Sequence, residues 1–236
     1  MSELTFILIP GAGGSAWYWH LVEPKLRQLG HQVVSVSLPA ADDKAGLPEY
    51  AAAAVHAMGH REPRDMVVVA QSLGGFTAPL VCSERRVALL VLLNAMIPKP
   101  GERPGEWWTN TRHDKARRQQ NQRDGRPADA PFDPFVEFFH DVPQAVLDEV
   151  LRRGEPRQSE TIFASACTFD SWPDVPTCVL IGRDDRFFPL DFQRRVALKR
   201  LGISADVIPG GHLAALSQPE ALVERLQAYV RELRPA

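Results

Sequence analysis

Short apolar runs alternate with amphipathic stretches along the chain. Residues 4–9, Leu-Thr-Phe-Ile-Leu-Ile, are apolar almost throughout, too short for a helix and rich in β-formers, so they predict a strand. Similar runs lie at 32–38, 65–70, 87–93 and 177–181, with a weaker one at 205–208. Between them the period changes to that of helices. The stretch 16–29 closes on Gly30, 50–58 is alanine-rich, 73–81 follows the third strand, and 191–201 and 219–233 are amphipathic. In the last, Leu222, Leu226 and Val230 recur every four residues. Strands without a polar face belong in a sheet covered on both sides, and strand–helix alternation predicts parallel pairing with right-handed crossovers. The expected fold is therefore α/β: an open, mostly parallel sheet of about six strands flanked by helices.

One stretch breaks this rhythm. Residues 98–174 carry no strong strand signal, and their first half is rich in charge, Pro, Gly and Gln. A structureless loop of that length is unusual in a compact domain. The stretch predicts a small helical insertion between the fourth and fifth strands, its clearest helix at 143–153, with a partly disordered excursion as the alternative. Asn94 interrupts the apolar run just before it.

Composition narrows the classes. A chain of 236 residues suits one large domain, taken here as 1–236. A net charge of -2 and a pI of about 6.4 argue against a broad nucleic-acid-binding surface. No apolar run approaches the ~18 residues that would span a bilayer, and no basic leader is visible, so neither membrane insertion nor a signal peptide is expected. Cys82, Cys167 and Cys178 are odd in number and lack ligand spacing. They fit a reduced, cytoplasmic protein better than a disulfide framework or a zinc site.

Three loops that follow strands hold the candidate chemistry. Ala70-Gln71-Ser72-Leu73-Gly74 joins a valine-rich strand to a helix, and a serine on such a turn is held out of the sheet with small residues packed beneath it. Gly182-Arg183-Asp184-Asp185 follows the fifth strand and offers two carboxylates that could orient an imidazole. Gly210-Gly211-His212 follows the sixth. Taken alone, each loop has an ordinary reading as a helix cap, an Asp turn or an idle loop histidine. Together they place serine, acid and histidine at the carboxyl edge of one parallel sheet, where ligands collect. A serine needs a base to become a nucleophile, and the base needs a partner to fix its tautomer. An oxyanion also needs N–H donors. Leu73 supplies one and the Pro10–Gly14 loop another, best placed at Ala12. That glycine-rich loop lacks the register of phosphate-binding motifs.

At these residues the sequence resembles the α/β-hydrolase superfamily. Ala70-Gln71-Ser72-Leu73-Gly74-Gly75 is similar to its nucleophile elbow, Gly182-x-x-Asp185-x-x-x-Pro189 to its acid loop, and Gly210-Gly211-His212 to its histidine loop. The acid-loop match favours Asp185 over Asp184. The opening, Ile7 to Trp19 with its Ala-Trp-x-Trp, resembles the plant methylesterase and hydroxynitrile lyase branch. The resemblance implies that 98–174 is a cap over the active site. It also implies a Ser72–His212–Asp185 triad with an oxyanion hole at Ala12 and Leu73, acting without metal or organic cofactor on a small ester. The sequence departs from the branch in two respects. Pro10 stands where histidine is usual, so support for the oxyanion loop must come from elsewhere. Gly11 and Leu213 stand where lyases carry threonine and lysine, which favours esterase chemistry. A lyase or cofactor-free oxygenase using the same triad, or a small-molecule receptor, are the alternatives. Gly11, Trp17, Trp19, Trp107 and Trp108 are candidate pocket residues, with core packing the competing reading for Trp17 and Trp19.

Overall fold

The computed structural model describes residues 3–233. Six strands form one sheet: β1 (Thr5–Ile9), β2 (Gln32–Ser35), β3 (Met66–Gln71), β4 (Leu89–Leu93), β5 (Thr177–Gly182) and β6 (Asp206–Ile208). Their order is β2-β1-β3-β4-β5-β6 and every pairing is parallel. β1, β3 and β4 are buried along their whole length, which is why polarity does not alternate within them. Successive side chains enter opposite faces. Ile7, Val68, Leu90 and Val179 enter one core, and Phe6, Val67, Leu89 and Leu180 the other.

Helices α1 (Glu23–Gln28), α10 (Ala214–Ser217) and α11 (Pro219–Leu233) cover the Phe6 face. Helices α2 (Leu47–Met58), α3 (Gly74–Glu84) and α9 (Leu190–Leu201) cover the Ile7 face. The helix expected over 16–29 is two pieces, a 3-10 turn at Ala16–Trp19 and then α1. Pro24 lies in the first turn of α1, where its missing N–H is harmless, but it cannot continue a helix from Trp19. α2 starts earlier than its alanines indicate, with Pro48 in the first turn and the Glu49 carboxylate accepting the Gly46 N–H at 2.8 Å.

Between β4 and β5 lie five short helices: α4 (Pro104–Thr111), α5 (His113–Arg123), α6 (Pro134–Glu137), α7 (Gln144–Arg153) and α8 (Thr161–Ala164). This insertion is rooted in the body of the protein. Arg200 of α9 and Glu102 form an ion pair whose side chains are almost fully buried, with a 2.8 Å contact from Arg200 Nη2 to Glu102 Oε1. Trp107, expected to face the substrate, instead lies wholly inside the Ile7-face core. Its indole N–H donates to Ile97 O at 3.1 Å, and its ring packs against Phe188 and Phe192 at 5.2 and 5.6 Å. Trp19 is equally buried on the opposite face. Trp17 is half-buried, stacked on His20 at 4.1 Å with the Arg153 guanidinium over its ring. Trp108, also half-buried, meets Phe187 edge-on at 5.8 Å and is the tryptophan that stands between the core and the acid loop.

Trp107→Ala is expected to lower stability by about 3–5 kcal/mol, the usual cost of emptying a large aromatic site. The measurement is the urea unfolding midpoint at unchanged slope. A loss under about 1 kcal/mol would place the ring outside the core.

Candidate active site

Because every strand is parallel, all six carboxyl ends share one edge. Ser72 directly follows β3, Asn94 directly follows β4, and the loops after β1, β5 and β6 bring Gly11, Asp185 and His212 to the same place. Ser72 has φ 51°, a left-handed conformation that a side chain rarely adopts. Its backbone is held on both sides. Its N–H donates to Leu93 O at 3.2 Å, and its carbonyl accepts from Gly75 N at 3.0 Å and Met96 N at 2.9 Å. The turn closes tightly enough to need glycine after the serine. A Cβ at Gly74 would lie 2.6 Å from Pro10 O, and one at Gly75 2.2 Å from Met96 O. Ala70, two before the serine, is fully buried and its methyl group is accommodated.

The three side chains expected to act together form one hydrogen-bonded line. Ser72 Oγ lies 3.0 Å from His212 Nε2, and His212 Nδ1 lies 2.8 Å from Asp185 Oδ2. With the Nδ1–H donating to the carboxylate, Nε2 is left as the acceptor for the serine hydroxyl. Asp185 is also fixed from behind. Its Oδ1 accepts the N–H groups of Phe187 and Phe188 at 2.9 and 2.8 Å, and its Oδ2 accepts from Gln193 Nε2 at 3.2 Å. Asp184 faces elsewhere: it accepts the Gly210 N–H at 3.2 Å, while its own N–H donates to Gly210 O at 3.0 Å. The neighbouring acids thus divide the work, one on the imidazole and one on the loop that carries it.

Asn94 is the residue whose part the sequence did not disclose. It is fully buried, with φ 44°. Its Oδ1 accepts the Gly182 N–H at 2.7 Å, and its Nδ2 donates to Gly211 O at 3.0 Å and His212 O at 3.1 Å. Gln71 Nε2 adds a further bond to His212 O at 3.2 Å. The available signal was a polar residue ending an otherwise apolar central strand, since a buried amide is kept only where it is paired.

The loop after β1 lies directly against the serine, since a Cβ at Gly11 would be 2.8 Å from Ser72 Cβ. The support that histidine would give at Pro10 comes in part from the insertion: Gln158 Oε1 accepts the Gly13 N–H at 2.8 Å, and Gln158 Nε2 donates to Tyr50 Oη at 3.0 Å. Among the described residues, neither the Ala12 nor the Leu73 N–H has a hydrogen-bond acceptor. Aromatic rings enclose the histidine. Phe138 of the insertion stacks on its imidazole at 5.0 Å and 17°, and Phe187 and Phe188 meet it edge-on at 5.2 and 4.9 Å. His113 of α5 contacts the acid loop, its Nε2 2.7 Å from Phe187 O, and burial holds its imidazole below the ordinary histidine value. It is therefore neutral at pH 7 and donates Nε2–H to that carbonyl. Burial pushes the thiols of Cys82 and Cys167 up to about 12 and that of Cys178 to about 11, so none is a thiolate nucleophile at neutral pH. Among the described residues no cluster of three or more His, Cys, Asp or Glu side chains is arranged to hold a metal.

A strained serine turn, a histidine and a carboxylate at the carboxyl edge of a parallel sheet define an α/β protein with a serine-centred site. The sequence matches the α/β hydrolase family over residues 6–225, and the chain belongs to that family. Norfluorocurarine synthase 1 from a Strychnos species is 23% identical over 250 residues, spanning 94% of this chain and 93% of its own. Methylesterase 18 of Arabidopsis thaliana is 30% identical over 112 residues, 43% of this chain and 42% of its own. The crystal structure of polyneuridine aldehyde esterase superposes with a TM-score of 0.76 at 20% identity, covering 97% of this chain and 100% of that one. The likeness to the plant methylesterase branch read from the opening residues is met by these relatives.

Asn94→Ala would leave the Gly182 N–H and the Gly211 carbonyl buried without their partner. The expected loss is about 2–4 kcal/mol of stability, from one to two stranded polar groups. Calorimetry checks this, and a melting temperature within a degree of wild type would contradict it.

Proposed function

We propose that the protein is a carboxylic ester hydrolase acting on a small ester through an acyl-enzyme. The observation that carries this reading is the line from Ser72 Oγ through His212 to Asp185, with contacts of 3.0 and 2.8 Å. Ser72 Oγ attacks the ester carbonyl carbon while His212 Nε2 takes the hydroxyl proton. The carbonyl oxygen becomes an oxyanion held by the N–H groups of Ala12 and Leu73, which have no other acceptor among the described residues. The imidazolium, oriented by Asp185, returns its proton to the alkoxide as the C–O bond breaks and the alcohol leaves. Water then attacks the acyl group, giving its proton to His212, and the Ser72 oxygen departs as a hydroxyl. No step calls for a cofactor. The esterase and methylesterase names of the relatives support the reaction class.

In this reading residues 98–174 are a cap that chooses the substrate. Phe138 over the imidazole, with Phe187 beside it, gives the acyl or alcohol group an aromatic surface to lie on. Among the described residues no helix is long and apolar enough to cross a membrane. We place the reaction in the cytoplasm, in keeping with three cysteines that remain free thiols.

A fluorophosphonate probe should label wild type at Ser72, and Ser72→Ala should abolish both labelling and aryl ester hydrolysis at an unchanged melting temperature. Loss of one triad member costs on the order of 10⁴-fold or more in rate. Activity surviving in the alanine variant would move the nucleophile elsewhere. Asp185→Asn should cost several powers of ten in kcat, because it sets the wrong imidazole tautomer. Asp184→Asn should cost far less, and the reverse order would exchange the two roles.

A further inference from the structure

The loops after β1, β5 and β6 each end one backbone group on a polar side chain of the insertion. Gly13 N–H meets Gln158 Oε1 at 2.8 Å, Phe187 O meets His113 Nε2 at 2.7 Å, and Gly211 N–H meets Asp141 Oδ2 at 2.6 Å. The third contact is nearest the base, because Gly211 immediately precedes His212. Four other polar backbone groups of that loop are held by the body: the Gly210 N–H and carbonyl by Asp184, and the Gly211 and His212 carbonyls by Asn94 and Gln71. From the insertion, Asp141 supplies the hydrogen bond to this loop. Its fit is close enough that a Cβ at Gly211 would lie 2.8 Å from both Asp141 Oδ1 and His140 Nε2. Asp141 is itself well anchored, between Phe138, whose ring covers His212, and Val142, which is buried in the Phe6-face core. A 2.6 Å hydrogen bond to an acceptor held in place on both sides resists rotation of the Gly211 peptide unit.

We propose that Asp141 is a positioning residue for His212. By holding the Gly211 N–H it sets the imidazole against Ser72 and Asp185 together, so that the seating of the insertion fixes the reactivity of the base. The inference rests on the reading of Ser72 and His212 as the reacting pair. Displacing a catalytic group by about 1 Å can cost 100-fold in rate without affecting ground-state binding.

The test compares three full-length variants with wild type. Asp141→Ala removes the acceptor, Asp141→Ser draws it out of reach, and Asp141→Asn keeps an oxygen at the same place. The readouts are the rate of fluorophosphonate labelling at Ser72, the downfield proton resonance of His212 Nδ1–H, kcat and KM on an aryl ester, and the melting temperature. Asp141→Ala and Asp141→Ser should slow labelling and kcat about 10- to 100-fold, with KM within about twofold, and should shift or broaden the downfield proton. Asp141→Asn should stay within about threefold of wild type. Should the alanine variant fail to fold, the serine and asparagine variants carry the same comparison. Wild-type labelling and an unmoved proton in Asp141→Ser would overturn the proposal, as would a fall in melting temperature with kcat unchanged. An asparagine variant as slow as serine would overturn it too, since charge rather than the acceptor would then be at work. If wild type shows the downfield proton and reacts with the probe but turns over no ester, the esterase reading fails while the variants still decide the role of Asp141. If wild type shows neither, the reacting pair is wrong and the proposal falls with it.

Discussion

The buried side-chain amide of Asn94 ties the edge of the sheet together. A parallel sheet stops being self-sufficient where its strands end, because the backbone groups beyond the last ladder bond have no neighbour to meet. At that edge three chain segments diverge: the end of β4, the end of β5 and the loop after β6. Asn94 accepts from one and donates twice to another, using all the donors of its amide. Aspartate of the same shape would have no donor, and leucine would have neither. The left-handed φ of 44° also suits asparagine, which tolerates that region better than most residues. The Gly211 and His212 peptide units, and with them the approach of His212 to Ser72, rest in large part on where this amide lies.

The second strained residue, Ser72, is stapled to the same corner. Its N–H goes to Leu93, the residue before Asn94, and its carbonyl accepts from Met96, two residues after it. Two left-handed turns at the ends of adjacent strands therefore brace one another. Strain of this kind costs of order 1–3 kcal/mol per residue and persists only where the surroundings overdetermine it. Here the surroundings include a glycine pair with no room for a methyl group and two central strands without exposed surface. Stability stored in the hydrophobic layers is exchanged locally for the left-handed turn that carries Ser72.

Much of this was legible in the sequence, for identifiable reasons. Strands β1, β3 and β4 are fully buried, so their apolar runs are uninterrupted and easy to read. The loops were legible because glycine and chemistry-bearing residues fall just after those runs. Asp184 and Asp185 could not be separated by composition, since both sit in the same turn and only a motif match distinguished them. Helix ends were less legible: Pro24 splits what periodicity joins, and the start of α2 is set by Pro48 and a Glu49 cap rather than by its alanines. Trp107 was misplaced because a tryptophan in a charged, Pro-rich segment gives no sign of the depth it reaches. Its burial depends on Phe188 and Phe192, some eighty residues away. Asn94 showed only as a polar break in an apolar run, without its partners, and Gln158 and His113 were opaque for the same reason as Trp107. A side chain that satisfies a distant backbone group has no local pattern.

The insertion begins after β4 and ends before β5, two strands that are hydrogen-bonded neighbours, with Leu93 beside Leu180. Topologically it is a cassette: recombination at those two points would exchange one insertion for another without disturbing the register of the sheet. The bonds from Gln158, His113 and Asp141 make the exchange less free than the topology allows. A foreign insertion that lacked them would leave Gly13, Phe187 and Gly211 each short of a partner in the folded hybrid. In this chain the insertion and the three loops beneath it therefore form a matched set. Exchanging the insertion alone changes the partners of all three loops at once.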